Sequence, residues 1–141
     1  MIYPFHERTV DKGFTFGLSS CGYDVRVAEH VRLEPGEFKL ASTMERFNLP
    51  RDVMMMIVDK SSWARKGVAV QNTVAEPGWR GYLTLELTCH GRDLISIHEG
   101  TPIAQVLFMV LTEATRQPYQ GRYQDQPAGA QPAIAAKEGD L

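Results

Sequence analysis

Only two of the 141 residues are cysteine, Cys21 and Cys89. A chain of this length can bury a core without covalent staples, so no disulfide framework is expected, and free thiols in a reducing cytoplasm are the simpler reading. Long apolar runs are also missing: residues 53–58 and 106–111 fall far short of the roughly 20 needed to cross a bilayer. The opening stretch MIYPFHERTV has no apolar core of signal type, so the chain is expected to be soluble and cytoplasmic. Nor is there a basic excess. With 15 Lys and Arg against 17 Asp and Glu, the net charge is -2, and no bulk field draws the chain to nucleic acid or to a membrane. Anion binding, if present, has to be local.

Several catalytic signatures are absent as well. His6, His30, His90 and His98 form no i, i+4 pair on a helix and have no companion cysteine pair, and H-x-E followed by P-C-x-x-C is missing, so no zinc-activated water and no protein-held metal is expected. There is no G-x-S-x-G elbow and no G-x-x-x-x-G-K-[ST] loop.

What remains is a chain of short strands and tight turns. Residues 1–20 show no clear period and suggest at most one short strand, whereas 22–27 alternate like a half-buried strand. Pro35-Gly36 and Pro77-Gly78 stand at the centres of two expected type II turns. Residues 38–43 should be the strand leaving the first, and 46–49 a separate short segment. The run 53–58 is apolar at every position, which predicts a strand buried on both faces. After it, Asp59 or Ser61 can cap one or two helical turns that Gly67 stops. Strands are expected over 68–74, 82–89, 94–98 and 101–112, with Leu83, Leu85, Leu87 and Cys89 on one face and Tyr82, Thr84, Glu86 and Thr88 on the other. This spacing indicates an all-β barrel or sandwich-like domain. From Glu113 on, Gln, Pro, Gly and Ala dominate without an apolar period, as in a mobile tail or a lid.

Polar candidates concentrate between Asp59 and Glu86. Ser61-Ser62 with Arg65 can hold an anion at a helix start, or can simply cap the helix beside a solvated arginine. Glu86 is a solvent-facing carboxylate or, because the Pro77-Gly78 turn returns its strand toward Gln71, Asn72 and Thr73, a site residue. Glu76 can be only the first residue of its turn, and Trp63 and Trp79 only core.

In order along the chain, these segments resemble the family of dCTP deaminases and trimeric dUTPases. Tyr23-Asp24-Val25-Arg26 is similar to the family's early strand, and Leu33-Glu34-Pro35-Gly36-Glu37 with Ala41-Ser42-Thr43-Met44-Glu45 to its next hairpin. Lys60-Ser61-Ser62-Trp63-Ala64-Arg65 resembles the phosphate-binding R-S-S-L-A-R element, and Glu76-Pro77-Gly78-Trp79-Arg80-Gly81 the D-P-G-W-x-G turn. Residues 100–108 resemble G-x-x-I-x-Q-x-x-F, and Arg122-Tyr123-Gln124-Asp125-Gln126 the K-Y-x-x-Q of the deaminase lid. The chain departs at Lys60, Trp63, Glu76 and Arg122, and is shorter than deaminases by about two residues between Gly67 and Glu76. Glu86 stands where the deaminases carry their catalytic glutamate, and the glycine-rich lid of dUTPases is missing, which favours the deaminase branch.

The resemblance implies a distorted, jelly-roll-like β-barrel of the dUTPase-like, β-clip type with one short helix, a nucleotide-processing domain over 1–127 and a flexible tail over 128–141. It implies deamination of a deoxycytidine nucleotide, most readily dCTP to dUTP and ammonia, with Glu86 as general base and Ser61 holding the water. Lys60, Ser62, Arg65, Tyr119, Arg122 and Gln126 would grip phosphates carrying Mg²⁺, Asn72, Thr73 and Val74 would read the base, and Glu76 and Trp79 would meet the sugar. It further implies a homotrimer with shared sites. A dUTPase that releases pyrophosphate, or a nucleotide-binding regulator without turnover, are the alternatives on the same scaffold.

Overall fold

A computed structural model describes residues 1–139, and the last two positions of the expected tail lie outside them. Twelve strands and one helical turn follow one another: β1 (Ile2–Tyr3), β2 (Thr9–Asp11), β3 (Phe14–Leu18), β4 (Tyr23–Arg26), β5 (Val31–Leu33), β6 (Phe38–Asn48), β7 (Val53–Asp59), α1 (Ser61–Ala64), β8 (Val68–Val70), β9 (Val74–Ala75), β10 (Arg80–Cys89), β11 (Ile95–Ile97) and β12 (Pro102–Val110). They form a four-stranded sheet in the order β1-β6-β10-β8, a six-stranded sheet β2-β3-β4-β12-β7-β9, and the pair β11-β5. Among the described residues every strand pairing is antiparallel and no sheet closes on itself, so the all-β, jelly-roll-like expectation holds with an open roll. One apolar core joins both larger sheets: Leu85 and Leu87 of β10 and Phe47 of β6 from one, Val25, Met55 and Val106 from the other, all sealed from solvent. Burial of side chains this large stabilises the fold by about 1.5–3 kcal/mol each.

The period-two reading of β10 is correct. Leu83, Leu85, Leu87 and Cys89 are buried, while Tyr82, Thr84, Glu86 and Thr88 are half-buried on the opposite face. Both expected turns close with an i to i+3 bond: Glu37 N–H donates to Glu34 O at 3.0 Å, and Trp79 N–H donates to Glu76 O at 3.0 Å. Gly78 has φ +87°, the left-handed value that a type II turn requires at its third residue.

Five expectations need correction. The first twenty residues hold three strands, not one, because pairing with β6 and β4 stabilises pieces of two to five residues too short to show a period. Phe38–Asn48 is one continuous strand, and 68–74 is two short ones. β7 is not buried on both faces: Val53, Met55 and Ile57 are buried, whereas Met54, Met56 and Val58 are half-buried. Neither Asp59 nor Ser61 caps α1. The N-cap is Lys60 with no side-chain bond, because Asp59 Oδ1 accepts instead from Val70 N–H at 2.7 Å, tying β7 to β8. Trp63 is core, stacked 5.6 Å from Phe14 and donating its indole N–H to Pro102 O at 2.8 Å. No helix among the described residues is long and apolar enough to cross a membrane.

Candidate active site

The backbone around Glu86 is clamped from two sides. On one side the ladder pairs Glu86 with Leu40 of β6. On the other, Gln71 N–H donates to Glu86 O at 2.8 Å, and the Asn72 amide bridges the strand, accepting from Glu86 N–H at 2.9 Å and donating to Thr84 O at 2.7 Å. The carboxylate itself makes no hydrogen bond or ion pair among the described residues. A fixed strand thus presents an acceptor that no described residue satisfies.

That carboxylate lines a cavity of about 650 Å³. Asn72, Thr73, Val74, Glu76, Trp79, Tyr119 and Gln126, singled out in the sequence, line it too. Sequence reasoning missed the apolar wall of Phe38, Leu40, Ile57 and Leu83, and also Thr84, Tyr123 and Gln131. Thr84 could have been found from its period-two relation to Glu86. Phe38 and Leu40 reach the cavity only because β6 pairs with β10 in this register, and the sequence carries no local signal of that. Among the described residues of the wall, Glu76 and Glu86 are the only charged ones, and none is Lys, Arg or His.

The segment after β12 roofs this cavity. Tyr119 N–H donates to Pro77 O at 2.8 Å, the buried Trp79 donates its indole N–H to Tyr123 O at 2.7 Å, and Gln124 Nε2 reaches Gly78 O at 2.9 Å. Gln126 lies alongside Gly81 and gives its side-chain amide to Tyr82 O at 2.9 Å and Thr84 Oγ1 at 2.8 Å. Gln131 N–H also reaches Thr84 Oγ1, at 2.9 Å. Arg122 is outside the wall, exposed, with its guanidinium 5.8 Å from the Tyr123 ring and bonded to Ile134 O.

Lys60, Ser61, Ser62 and Arg65 lie elsewhere, on and beside α1, and none lines the cavity. Lys60 donates to Asp24 Oδ2 at 2.5 Å, both side chains nearly buried, so its charge is already matched. Ser61 and Arg65 are exposed, and Ser62 Oγ is sealed from solvent with no hydrogen-bond partner among the described residues. One chain therefore carries the carboxylate and the hydroxyl-arginine cluster at separate sites. No group of three or more His, Cys, Asp or Glu side chains among the described residues is arranged to hold a metal ion.

A sequence model described as dCTP deaminase-like matches residues 8–111. The chain belongs to the dCTP deaminase-like family. It is 34% identical to the dCTP deaminase of Campylobacter hominis, with 99% of this chain and 90% of that protein aligned. It is also 34% identical to the dCTP deaminase of Chloroflexus aggregans, over 95% and 90%. Among solved structures it is similar to the dUTPase of EIAV, with TM-score 0.61 and 22% identity over 73% of this chain and 86% of that one. A mutant dUTPase from phage phi11 of S. aureus, whose structure coordinates a structural Mg(II) ion, gives TM-score 0.63 and 14% identity over 85% and 95%. At these identities the two structures show a shared fold.

In this dCTP deaminase-like chain the roof is held partly by charge. Arg80 Nη2 donates to Asp125 Oδ2 at 2.8 Å, and its Nε bonds the other carboxylate oxygen. That hydrogen bond holds the Asp125 carboxyl below the ordinary aspartate range. A depressed folded-state value means a contribution present above the ordinary aspartate pKa and lost as pH falls through the depressed one. Hydrogen-exchange protection factors of the 122–126 amides should accordingly drop on acidification before those of β10 do. Protection that is flat in acid would remove the Arg80 pair from roof docking.

Proposed function

We propose that this protein hydrolytically deaminates a deoxycytidine nucleotide, most readily dCTP to dUTP and ammonia, with Glu86 as a general base. The observation that carries the reading is the free Glu86 carboxylate, its backbone fixed by Asn72, at a cavity whose other walls are mostly apolar. Kinship with proteins named dCTP deaminase supports the same chemistry. In the first step water adds to C4 of the cytosine ring, Glu86 takes one of its protons and delivers it to N3. In the second the new C4 hydroxyl loses its proton to Glu86, which returns it to the amino group, and ammonia leaves as the carbonyl forms. Water and cytosine go in, uracil and ammonia come out, and Glu86 ends as it began. Proton transfer by a positioned group of this kind contributes about 10² to 10⁴ in rate. The apolar wall of Phe38, Leu40 and Val74 flanks the base, and the backbone of Thr73 and Val74 with the Asn72-fixed strand orients it. Trp79 lies against the sugar and Glu76 accepts from its 3′-hydroxyl.

A wall with two carboxylates and no cation repels the phosphate end of a nucleotide. Ser61, Ser62 and Arg65 of a second copy supply that end in our reading, with Ser61 holding the attacking water, and the assembly is a homotrimer with sites between subunits. Ser62 Oγ, which has no partner among the described residues, has a hydroxyl donor to offer a phosphate oxygen. Tyr119, Arg122 and Gln126 act from the roof, and residues 128–139 behind them serve as a flexible tail. Lys60 acts at the phosphates through its neighbours, its charge being held by Asp24. Mg²⁺ enters as the metal complex of the substrate phosphates. The nucleotide pool and the free thiols of Cys21 and Cys89 suit the cytoplasm.

The test separates products. Incubation with deoxycytidine and deoxyuridine mono-, di- and triphosphates should release ammonia from the cytidine series. Pyrophosphate from dUTP with no ammonia from dCTP would favour a dUTPase, and tight binding without either product a regulator.

A further inference from the structure

A second depression, of about 560 Å³, lies where α1 ends. Arg65 and Lys66 line it from the turn after α1, and Arg92 lines it from the loop between β10 and β11, with Asp93 as the only carboxylate among the described residues. All three cations are exposed, and neither guanidinium has a hydrogen bond or ion pair among the described residues. The Lys66 ammonium sits 4.7 Å from the Trp63 ring centre, which anchors it without neutralising it.

The two loops are locked together by their backbones. His90 N–H donates to Gly67 O at 2.7 Å, and a Cβ at Gly67 would stand 2.5 Å from Gly91 N. A Cβ at Gly91 would likewise meet Lys66 O at 2.7 Å, so the contact exists only because both positions are glycine. This fixes the bases of three like-charged side chains around one hollow. Three cations beside one carboxylate leave the hollow with a local positive charge that favours an anion of more than one charge.

We propose that Arg92, with Lys66 and Arg65, forms a cradle for the outer phosphates of the nucleotide, and that Arg92 sets the preference for a triphosphate over a monophosphate. The proposal rests on the nucleotide reading above and deepens it. α1 is a single turn of four residues, so its serines lie within about 6 Å along the axis of the cradle, close enough for one polyphosphate chain to touch both. An arginine at this point offers a forked donor that a lysine lacks.

Calorimetric titration of the full chain with inorganic tripolyphosphate tests the cradle without turnover. Arg92→Ala should weaken tripolyphosphate about tenfold, and Arg92→Lys should recover only part of it, as expected for loss of one charge-assisted contact. In kinetics the same change should lower the ratio of kcat/KM for dCTP over dCMP about tenfold. Unchanged tripolyphosphate affinity in Arg92→Ala, or equal losses for dCTP and dCMP, would overturn the cradle. Absence of ammonia from every cytidine nucleotide with the unaltered protein would sink the deaminase reading alone, and the tripolyphosphate titration would still decide the cradle. Arg92 is exposed, so its replacement leaves the core untouched.

Discussion

Glu86→Gln is expected to keep nucleotide affinity within a few-fold and to lose ammonia release by about 10² to 10⁴. Glutamine preserves the length, shape and one acceptor of the side chain, so the ladder pair with Leu40 and the Asn72 clamp should survive. What it cannot do is take a proton from water and hand it on. A base that serves both proton transfers affects both steps, so single-turnover and steady-state rates should fall together, while KM moves little. The measurement is ammonia release under saturating nucleotide, with binding followed separately by calorimetry. Turnover undiminished in this variant would remove Glu86 from the chemistry, and loss of binding in proportion to rate would make it a binding residue only.

The second large effect concerns stability. Glu45 is fully buried on β6, and Arg26 on β4 donates to it twice, from Nε at 2.8 Å and from its backbone N–H at 2.9 Å. The same guanidinium reaches His6 Nε2 at 3.1 Å and lies 4.7 Å from the Phe16 ring centre, so one ion pair joins the segment between β1 and β2 to β3, β4 and β6. Glu45→Ala leaves the Arg26 charge unmatched where only 13% of its side chain meets water. Breaking a buried pair from one side typically costs about 3–5 kcal/mol, and that loss is expected here. Replacing both partners, as Arg26→Met with Glu45→Leu, should recover most of it, since the cost lies in the orphaned charge. Urea midpoints at one fixed protein concentration, with the slope unchanged, are the measurement. A single-variant loss under about 1 kcal/mol would mean that Arg26 finds water or another partner.

These two residues also mark how far the sequence could be read. β10 was legible because one of its faces is core and the other lines a half-open cavity, so the chain alternates strictly and Glu86 falls on the polar side. β6 was not, because its hydropathy is inverted. Phe38 and Leu40 are exposed at the cavity, while Ser42, Thr43 and Glu45 are buried. The buried polar groups are satisfied by partners distant in sequence: Ser42 by Glu29, Glu45 by Arg26, and the Leu83 N–H by Thr43 Oγ1. A pattern of apolar-in and polar-out fails wherever polar groups find such partners. The Glu86 neighbourhood was foreseen through the Pro77-Gly78 turn, which returns the chain as expected. The roof was half foreseen: composition marked 113–141 as unable to build a core, and the bonds from Gln124, Gln126 and Gln131 onto β10 and its turn have no local signature. Separation of the serine-arginine cluster from the Glu86 cavity in one chain has no local signature, since a motif's order says nothing about which copy it serves; only the shared sites implied by the family resemblance pointed to it.

That separation makes a mixing experiment the most direct measurement. Glu86→Gln and Arg65→Ala, each purified as an inactive protein, are co-expressed or refolded together in equal amounts. If each site takes its base from one subunit and its arginine from another, random assortment gives about a quarter of the sites both intact groups, and about a quarter of the normal ammonia release returns. If ammonia release stays at the level of the separate variants although the mixed assembly forms, base and arginine do not meet across subunits, and the shared-site account is wrong.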